Sequence, residues 1–173
     1  MPILKLLCEY EDRPINVQTQ RPRFCWALDD NTVREQLSYR IIVSEDKALT
    51  QPVWDSGTVL SRASLGIVYN GAPLRDCTRY YWQVKISCRD GFNITGSSFF
   101  ETAISPEAHW EGQWISHPQP LDGYSILLRK EIFLDATPSK ARAYICGLGL
   151  YRLHINGELA SDRCLEPAWT NYN

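Results

Sequence analysis

Residues 74–88, LRDCTRYYWQVKISC, decide the fold of the first part of the chain. Beyond residue 79 the apolar side chains alternate with polar ones, which places one set on a single face: Tyr80, Trp82, Val84, Ile86 and Cys88. Successive side chains of a strand point to opposite faces, so this pattern predicts a half-buried antiparallel strand. The spacing from Leu74 to Tyr80 lets a tyrosine at the strand start bury its ring while its hydroxyl bonds backbone upstream.

Further short alternating segments lie on both sides of this strand and are separated by turn signals. They are residues 3–10, 23–28, 38–44, 53–59, 65–69 and 98–102. The pair Ser56-Gly57 predicts a turn or bulge inside the fourth segment, and Trp26 is the predicted core anchor. Seven short strands in about 100 residues are typical of a β-sandwich. We therefore predict an all-β chain with a first domain over residues 1–104.

The remaining residues predict a linker over 105–113 and a second, truncated β region over 114–173. Strand patterns run through residues 125–133 and on from residue 141, and Asn156-Gly157 suits a type I′ turn because both central residues need positive φ. This meander starts a sheet without completing it. We expect its apolar surface to pack on the first domain, to pair with a second copy of the chain, or to be poorly ordered.

Composition and charge limit the classes of partner. The 173 residues carry 18 basic and 20 acidic side chains, a net charge of -2, without the basic stripe that nucleic-acid binding requires. No apolar run reaches the roughly 20 residues that span a bilayer, and the first residues lack the apolar core of a signal peptide. We expect no nucleic-acid or membrane partner and a cytoplasmic location.

The cysteines and histidines give no metal-binding pattern. The six cysteines lie singly within strand patterns, which predicts reduced, buried thiols that pack as small hydrophobes. The sequence has no Cys-x-x-Cys pair, and its three histidines are isolated from one another. We predict neither a metal site nor a cofactor. The cysteines are Cys8, Cys25, Cys77, Cys88, Cys146 and Cys164.

The polar residues give no catalytic pattern either. Glycoside hydrolysis needs two facing carboxylates, but with 20 acidic residues, neighbouring pairs arise by chance and are interpreted as surface. No Gly-x-Ser-x-Gly elbow is present, and Asp55-Ser56-Gly57 is interpreted as a turn. No catalytic residue is predicted. The acidic pairs considered are Asp29/Asp30, Glu45/Asp46 and Glu107/Glu111.

Aromatic residues of the second region provide the candidate sugar contacts. Carbohydrate binding needs only an aromatic platform and a few polar groups. Six aromatic residues lie in or near the second region: Trp110, Trp114, Tyr124, Tyr151, Trp169 and Tyr172. The candidate sugar contacts among them are Trp110, Trp114, Trp169 and Tyr172. The structural alternative is that Trp110 and Trp114 seal the joint between the domains. Both interpretations remain open for Trp169 and Tyr172.

The first domain resembles a fibronectin type III domain, which implies an immunoglobulin-like β-sandwich. Such domains serve as spacers and adaptors as often as binders, so the resemblance carries little functional information. The residues that carry it are Trp26, Tyr39-x-Ile41-x-Val43, the Leu74 to Tyr80 spacing, Tyr80-x-Trp82-x-Val84-x-Ile86, and Phe100-Glu101-Thr102.

The chain taken together resembles the N-terminal region of bacterial α-L-rhamnosidases, in an ordered set of motifs that covers nearly all of it. In the first domain the motifs are Cys8-Glu9-Tyr10, Pro22 to Trp26, Trp54-Asp55-Ser56-Gly57 and Tyr81-Trp82-x-Val84. Beyond it they are Trp110-x-x-x-Trp114-Ile115, Leu128 to Phe133, Ala141 to Ile145, Gly147-Leu148-Gly149-Leu150-Tyr151, Ile155-Asn156-Gly157 and Leu165 to Tyr172.

This resemblance implies a fibronectin-like domain followed by the start of a jelly-roll-like β-sandwich. In that family these parts precede an (α/α) barrel, which carries the carboxylates that release terminal α-L-rhamnose with inversion. We therefore expect an inactive, non-catalytic accessory part, with rhamnose-containing carbohydrate and the catalytic barrel as partners through the parent enzyme. The alternatives are a carbohydrate-binding module and a structural spacer without any ligand.

Overall fold

A computed structural model of the chain describes residues 3–28, 35–105, 111–119 and 123–162. These residues contain ten strands. No helix in this described part of the chain is long and apolar enough to cross a membrane. The chain divides into two compact units, Met1–Gln113 and Trp114–Asn173. The all-β prediction is confirmed.

The described part of the first unit contains eight strands. They are β1 (Ile3–Cys8), β2 (Arg23–Leu28), β3 (Gln36–Ser44), β4 (Pro52–Asp55), β5 (Val59–Leu60), β6 (Ile67–Val68), β7 (Arg79–Cys88) and β8 (Asn93–Glu101). One sheet has the order β1-β2-β6. The other has the order β4-β3-β7-β8, with β5 also paired to β3. All strand pairs are antiparallel.

The two sheets enclose a core that follows the predicted alternation. In β7 the apolar residues of the central pattern are buried, and in β3 Tyr39, Ile41 and Val43 join them while Arg40 is exposed. Phe24 of the opposite sheet lies with its ring centroid 4.7 Å from that of Trp82. In β3 and β7 the large buried apolar side chains lie on one face, so a slip of one residue would turn them toward water, and this fixes the register of the pair.

A backbone bridge closes one side of the sandwich. Val17 pairs in parallel with Thr102, the Val17 N–H donates to the Glu101 carbonyl at 3.0 Å, and the Ala103 N–H donates to the Val17 carbonyl at 2.8 Å. The tyrosine at the start of β7 is confirmed in its predicted role. Tyr80 is buried, and its hydroxyl oxygen accepts a 2.8 Å hydrogen bond from the Arg75 N–H.

Several strands differ in length from the prediction, among them the first and the last. The first strand ends at Cys8, because Glu9 and Tyr10 both take positive φ, 48° and 65°. The last strand begins at Asn93, five residues before the predicted start at Ser98. The first half of this strand contains polar residues and a glycine, which hide the alternating strand pattern. It forms because β7 provides a full-length partner, with Ile86 opposite Ile94.

The second unit forms fewer strands than predicted. The hairpin is present, with β9 (His154–Ile155) and β10 (Glu158–Leu159) joined by Asn156 and Gly157 at φ 52° and 88°, as a type I′ turn requires. No strand is assigned in the described residues between 111 and 153, so the strand predicted over 125–133 is not formed. An extended segment is assigned as a strand only when a partner accepts its hydrogen bonds.

The prediction of buried thiols holds for three cysteines and is wrong for two. Cys8, Cys25 and Cys88 are buried, whereas Cys77 and Cys146 are exposed. Cys77 lies in the turn before β7 at a φ of 52°, where its N–H donates to the Ala103 carbonyl at 3.1 Å. The sixth, Cys164, lies outside the described residues.

Candidate functional site

Of the four candidate sugar contacts, Trp114 lies within the residues that the structure describes. Trp114 begins the second unit, with 69% of its surface exposed, and Tyr124 of the same unit is 77% exposed. An exposed indole ring offers the flat apolar face on which a sugar can stack. Trp110, Trp169 and Tyr172 lie outside the described residues, so an aromatic platform that combines them remains a prediction.

A tight turn next to β1 brings together a carboxylate, an arginine and a tyrosine. The Glu9 carboxylate accepts hydrogen bonds from the Arg23 N–H at 2.6 Å and from its guanidinium at 3.1 and 2.8 Å. The same guanidinium lies over the Tyr10 ring, 4.8 Å from its centroid. Positive φ at Glu9 and Tyr10 is strained for residues with side chains, and the ion pair helps to hold this conformation.

Sequence reasoning missed this cluster. Glu9 and Arg23 are separated by 14 residues, and only the pairing of β1 with β2 brings them together. The available signal was that both belong to motifs quoted above, Cys8-Glu9-Tyr10 and Pro22 to Trp26.

A shallow, open groove of about 280 Å³ lies beside this turn. Its volume is below the roughly 300–1,000 Å³ of typical small-molecule sites, and polar residues dominate its walls. The groove therefore does not define a ligand site. Its lining residues are Glu9, Glu11, Pro14, Asn16, Val17, Gln18 and Thr19.

The carboxyl groups with shifted pKa values are held in the ionised form. The hydrogen bond from Arg23 lowers the pKa of Glu9, and the hydrogen bond from Arg40 lowers the pKa of Asp55. Burial raises the pKa of Asp46, but hydrogen bonds from Thr50, Gln51 and Ser44 together outweigh this effect and lower it to about 2. A glycosidase acid needs the opposite shift, because it must carry a proton near neutral pH.

The polar residues of the Asp55-Ser56-Gly57 segment, which were considered above as catalytic candidates, form hydrogen bonds with a structural role. The Asp55 carboxylate accepts hydrogen bonds from the Arg40 guanidinium and from the Gly57 N–H, and Ser56 Oγ accepts one at 2.8 Å from the Ile41 N–H. Asp55, Ser56 and Gly57 thus have a structural role at the break between β4 and β5, although no turn is assigned there. The described residues contain no group of three or more His, Cys, Asp or Glu side chains that could hold a metal ion.

Comparison with known families identifies the chain's relatives. A family model described as the Rha78A-like, N-terminal immunoglobulin domain matches residues 3–106, more than half of the chain. The chain belongs to this family. A second model, the α-L-rhamnosidase N-terminal domain, matches residues 136–173. The two matches confirm the resemblance to the N-terminal region of α-L-rhamnosidases that the ordered motifs predicted.

Individual relatives of this Rha78A-like chain agree with the family models. An α-L-rhamnosidase of Formosa agariphila is 30% identical over 98% of this chain and 21% of the relative. The crystal structure of a Streptomyces avermitilis α-L-rhamnosidase complexed with L-rhamnose matches 68% of this chain and 12% of that chain, at 34% identity and a TM-score of 0.62. The α-L-rhamnosidase of Dictyoglumus thermophilum matches 67% of this chain and 14% of that chain, at 29% identity and a TM-score of 0.59.

The Rha78A-like chain thus spans about a fifth or less of the relatives that it matches. The immunoglobulin-like first unit accounts for the family match at residues 3–106. This agrees with the prediction of a β-sandwich first domain.

Proposed function

We propose that this chain serves as the non-catalytic N-terminal part of an α-L-rhamnosidase, next to a catalytic barrel that the given residues do not include. The observation that carries the proposal is the match to α-L-rhamnosidases over 98% of this chain but only 21% of the relative. The lowered pKa values of Glu9, Asp46 and Asp55 are consistent with it, because the acid of a glycosidase needs a raised pKa.

In this role the first unit would act as a rigid structural module. Its core is closed by two sheets and a backbone bridge, and its polar turns are occupied by internal ion pairs. Such a module can support a neighbouring domain without contacting substrate.

A chimaeric enzyme tests the proposal. This chain would replace the aligned region of the Streptomyces avermitilis relative, and rhamnose release from a chromogenic α-L-rhamnoside would be measured. We expect hydrolysis by the chimaera, none by this chain alone, and a lower melting temperature for the relative without the aligned region. Turnover by this chain alone would refute the non-catalytic role, and a truncated relative as stable and active as the chimaera would refute the supporting role.

Exposure of Trp114 and Tyr124 favours carbohydrate binding as a second candidate function. Titration calorimetry of the chain with L-rhamnose at millimolar concentration tests it. We expect Trp114→Ala to abolish the heat of binding, whereas Ile115→Ala, which removes a neighbouring side chain that is 72% exposed but not aromatic, leaves it unchanged. Absence of heat from the unmodified chain would exclude this function for L-rhamnose.

A further inference from the structure

Cys25 is buried on the face of its sheet that points away from the core. In β2 the neighbouring side chains of Phe24 and Trp26 belong to the hydrophobic core, and successive side chains of a strand alternate between faces. The Cys25 side chain therefore points to the opposite face. Arg23 and Ala27 share that face and are exposed, yet only 2% of Cys25 is exposed. The thiol is thus protected by a local cover and not by the core.

The cover comes from residues on both sides of β2. The Gly66 N–H donates to Cys25 Sγ at 3.3 Å, so the chain just before β6 lies against the thiol. The Tyr10 hydroxyl lies 3.8 Å from the position that a Cβ on Gly66 would occupy. Because β2 lies between β1 and β6, a tyrosine that follows β1 must cross β2 to reach Gly66. The Arg23 guanidinium lies over the Tyr10 ring, 4.8 Å from its centroid, which places both on the outer face.

A strained turn carries this tyrosine. Glu9, Tyr10 and Arg13 take positive φ of 48°, 65° and 49°, which is unfavourable for residues with side chains. Strain of this kind is concentrated in clamps and switch regions. The Glu9 carboxylate accepts bonds at 3.1 and 2.8 Å from the same Arg23 guanidinium that lies against the ring. The ion pair therefore links the strained turn to the side chains that lie over the thiol.

We propose that Tyr10 and Arg23 form a lid over the Cys25 thiol. The Glu9–Arg23 ion pair keeps this lid closed, and loss of the pair exposes the thiol while the sandwich stays folded. The lid can open by itself because the backbone beneath it is held separately: β1 pairs with β2, and the Glu9 N–H donates to the Arg23 carbonyl at 2.9 Å. Tyr10 is 50% exposed and the Arg23 side chain 46%, so their movement disturbs few core contacts.

A second buried thiol provides an internal reference. Cys88 belongs to the hydrophobic core between the two sheets, so we expect only unfolding to expose it. Thiol reagents require an accessible thiolate. The labelling rate of Cys25, compared with that of Cys88 in the same sample, therefore separates opening of the lid from unfolding.

The test measures labelling of each cysteine by N-ethylmaleimide in the native chain, with the labelled peptides quantified by mass spectrometry. Glu9→Ala removes the ion pair with Arg23, and Tyr10→Ala removes the outer side chain of the lid. Glu11→Ala is the matched control, because it deletes a carboxylate of the same turn and leaves the Glu9–Arg23 pair intact.

We expect Glu9→Ala and Tyr10→Ala each to raise the labelling rate of Cys25 about tenfold or more, since a charge-assisted pair holds the closed lid. Labelling of Cys88 should stay at the level of the unmodified chain, and Glu11→Ala should change neither rate. An unchanged Cys25 rate in either lid variant would overturn the proposal. A parallel rise of Cys25 and Cys88 would overturn it as well, because the sandwich would then unfold as a whole. The proposal does not rest on the rhamnosidase role, since labelling does not depend on hydrolysis.

Discussion

Two buried tryptophans of the first unit differ in the hydrogen bond of the indole nitrogen. Trp26 Nε1 donates to Gln36 Oε1 at 3.0 Å, and the Gln36 amide donates to the carbonyls of Ser61 and Ala63. Trp82 Nε1 has no partner within the part of the chain that the structure describes. A buried indole nitrogen without a partner already carries a desolvation cost.

We therefore expect Trp26→Phe to destabilise the first unit more than Trp82→Phe does. Both changes remove apolar volume, but only the first leaves the buried Gln36 carbonyl oxygen unpaired. The expected difference in the free energy of unfolding is about 1–3 kcal/mol, measured by urea denaturation of the two variants. Equal losses, or a larger loss for Trp82→Phe, would contradict this explanation.

The Asp46 carboxylate stabilises the turn after β3 by accepting several hydrogen bonds, including one from the Ala48 N–H at 2.7 Å and one from the Thr50 N–H at 2.9 Å. Its pKa is lowered to about 2, against roughly 3.9 in an unfolded chain. A lowered folded-state pKa gives stability that is present above the unfolded pKa and is lost as the pH falls through the folded one.

We therefore expect the stability difference between the unmodified chain and Asp46→Asn to be constant above about pH 5 and to shrink between about pH 4 and pH 2. Denaturant titrations at several pH values measure it. A difference that stays constant over this range would show that the ionised form is not the stabilising one.

At the scale of elements, the loop after β6 packs tightly on aromatic side chains. A Cβ added at Gly71 would lie 2.6 Å from the Cβ of Trp54 and closer still to the Tyr69 hydroxyl, which itself donates to the Ala72 carbonyl at 2.7 Å. Trp54 and Tyr69 contact each other edge to face, so neither ring can easily withdraw.

We expect Gly71→Ala to destabilise the first unit by about 1–3 kcal/mol, because overpacking forces the rings or the backbone to shift. Gly112→Ala is the matched control, since a Cβ there meets nothing within 4 Å. Thermal unfolding of both variants measures the effect. Unchanged stability of Gly71→Ala would show that the loop moves aside at little cost.

The elements also differ in how far their sequences predicted them. The regular alternation in β3 and β7 was sufficient to predict these strands, because each has one buried face and one more solvent-exposed face. Residues 93–97 gave no strand signal, and their pairing depends on β7. In the second unit the Asn156-Gly157 turn was predictable from two residues, whereas residues 125–133 have a strand pattern but no strand, because the ladder requires a partner.

At the scale of the whole molecule, the exposure of the thiols follows the fold. We expect Cys77 and Cys146 to react readily with a disulfide reagent in the native chain, and Cys8, Cys25 and Cys88 to react only after unfolding, since they are buried. Burial also raises the pKa of the Cys8 thiol, which lowers its thiolate fraction further.

Colorimetric thiol counting on a Cys164→Ser background, with and without denaturant, measures this difference. Replacing Cys77 and Cys146 together by serine should remove the fast reaction. A fast reaction that persists in that variant would show that at least one of the buried cysteines is accessible in solution.

The sequence by itself determined the all-β class, the strands of the first unit with an alternating pattern, the tyrosine at the start of β7 and the family. These features depend on local periodicity and ordered motifs, which the chain carries residue by residue. Only the tertiary structure decided that Glu9 meets Arg23, that Trp26 is bonded while Trp82 is not, and which cysteines are exposed. It also left residues 126–134 without a strand partner in the described chain. Such outcomes depend on residues far apart in sequence, and no local pattern encodes a contact whose partner lies on another strand.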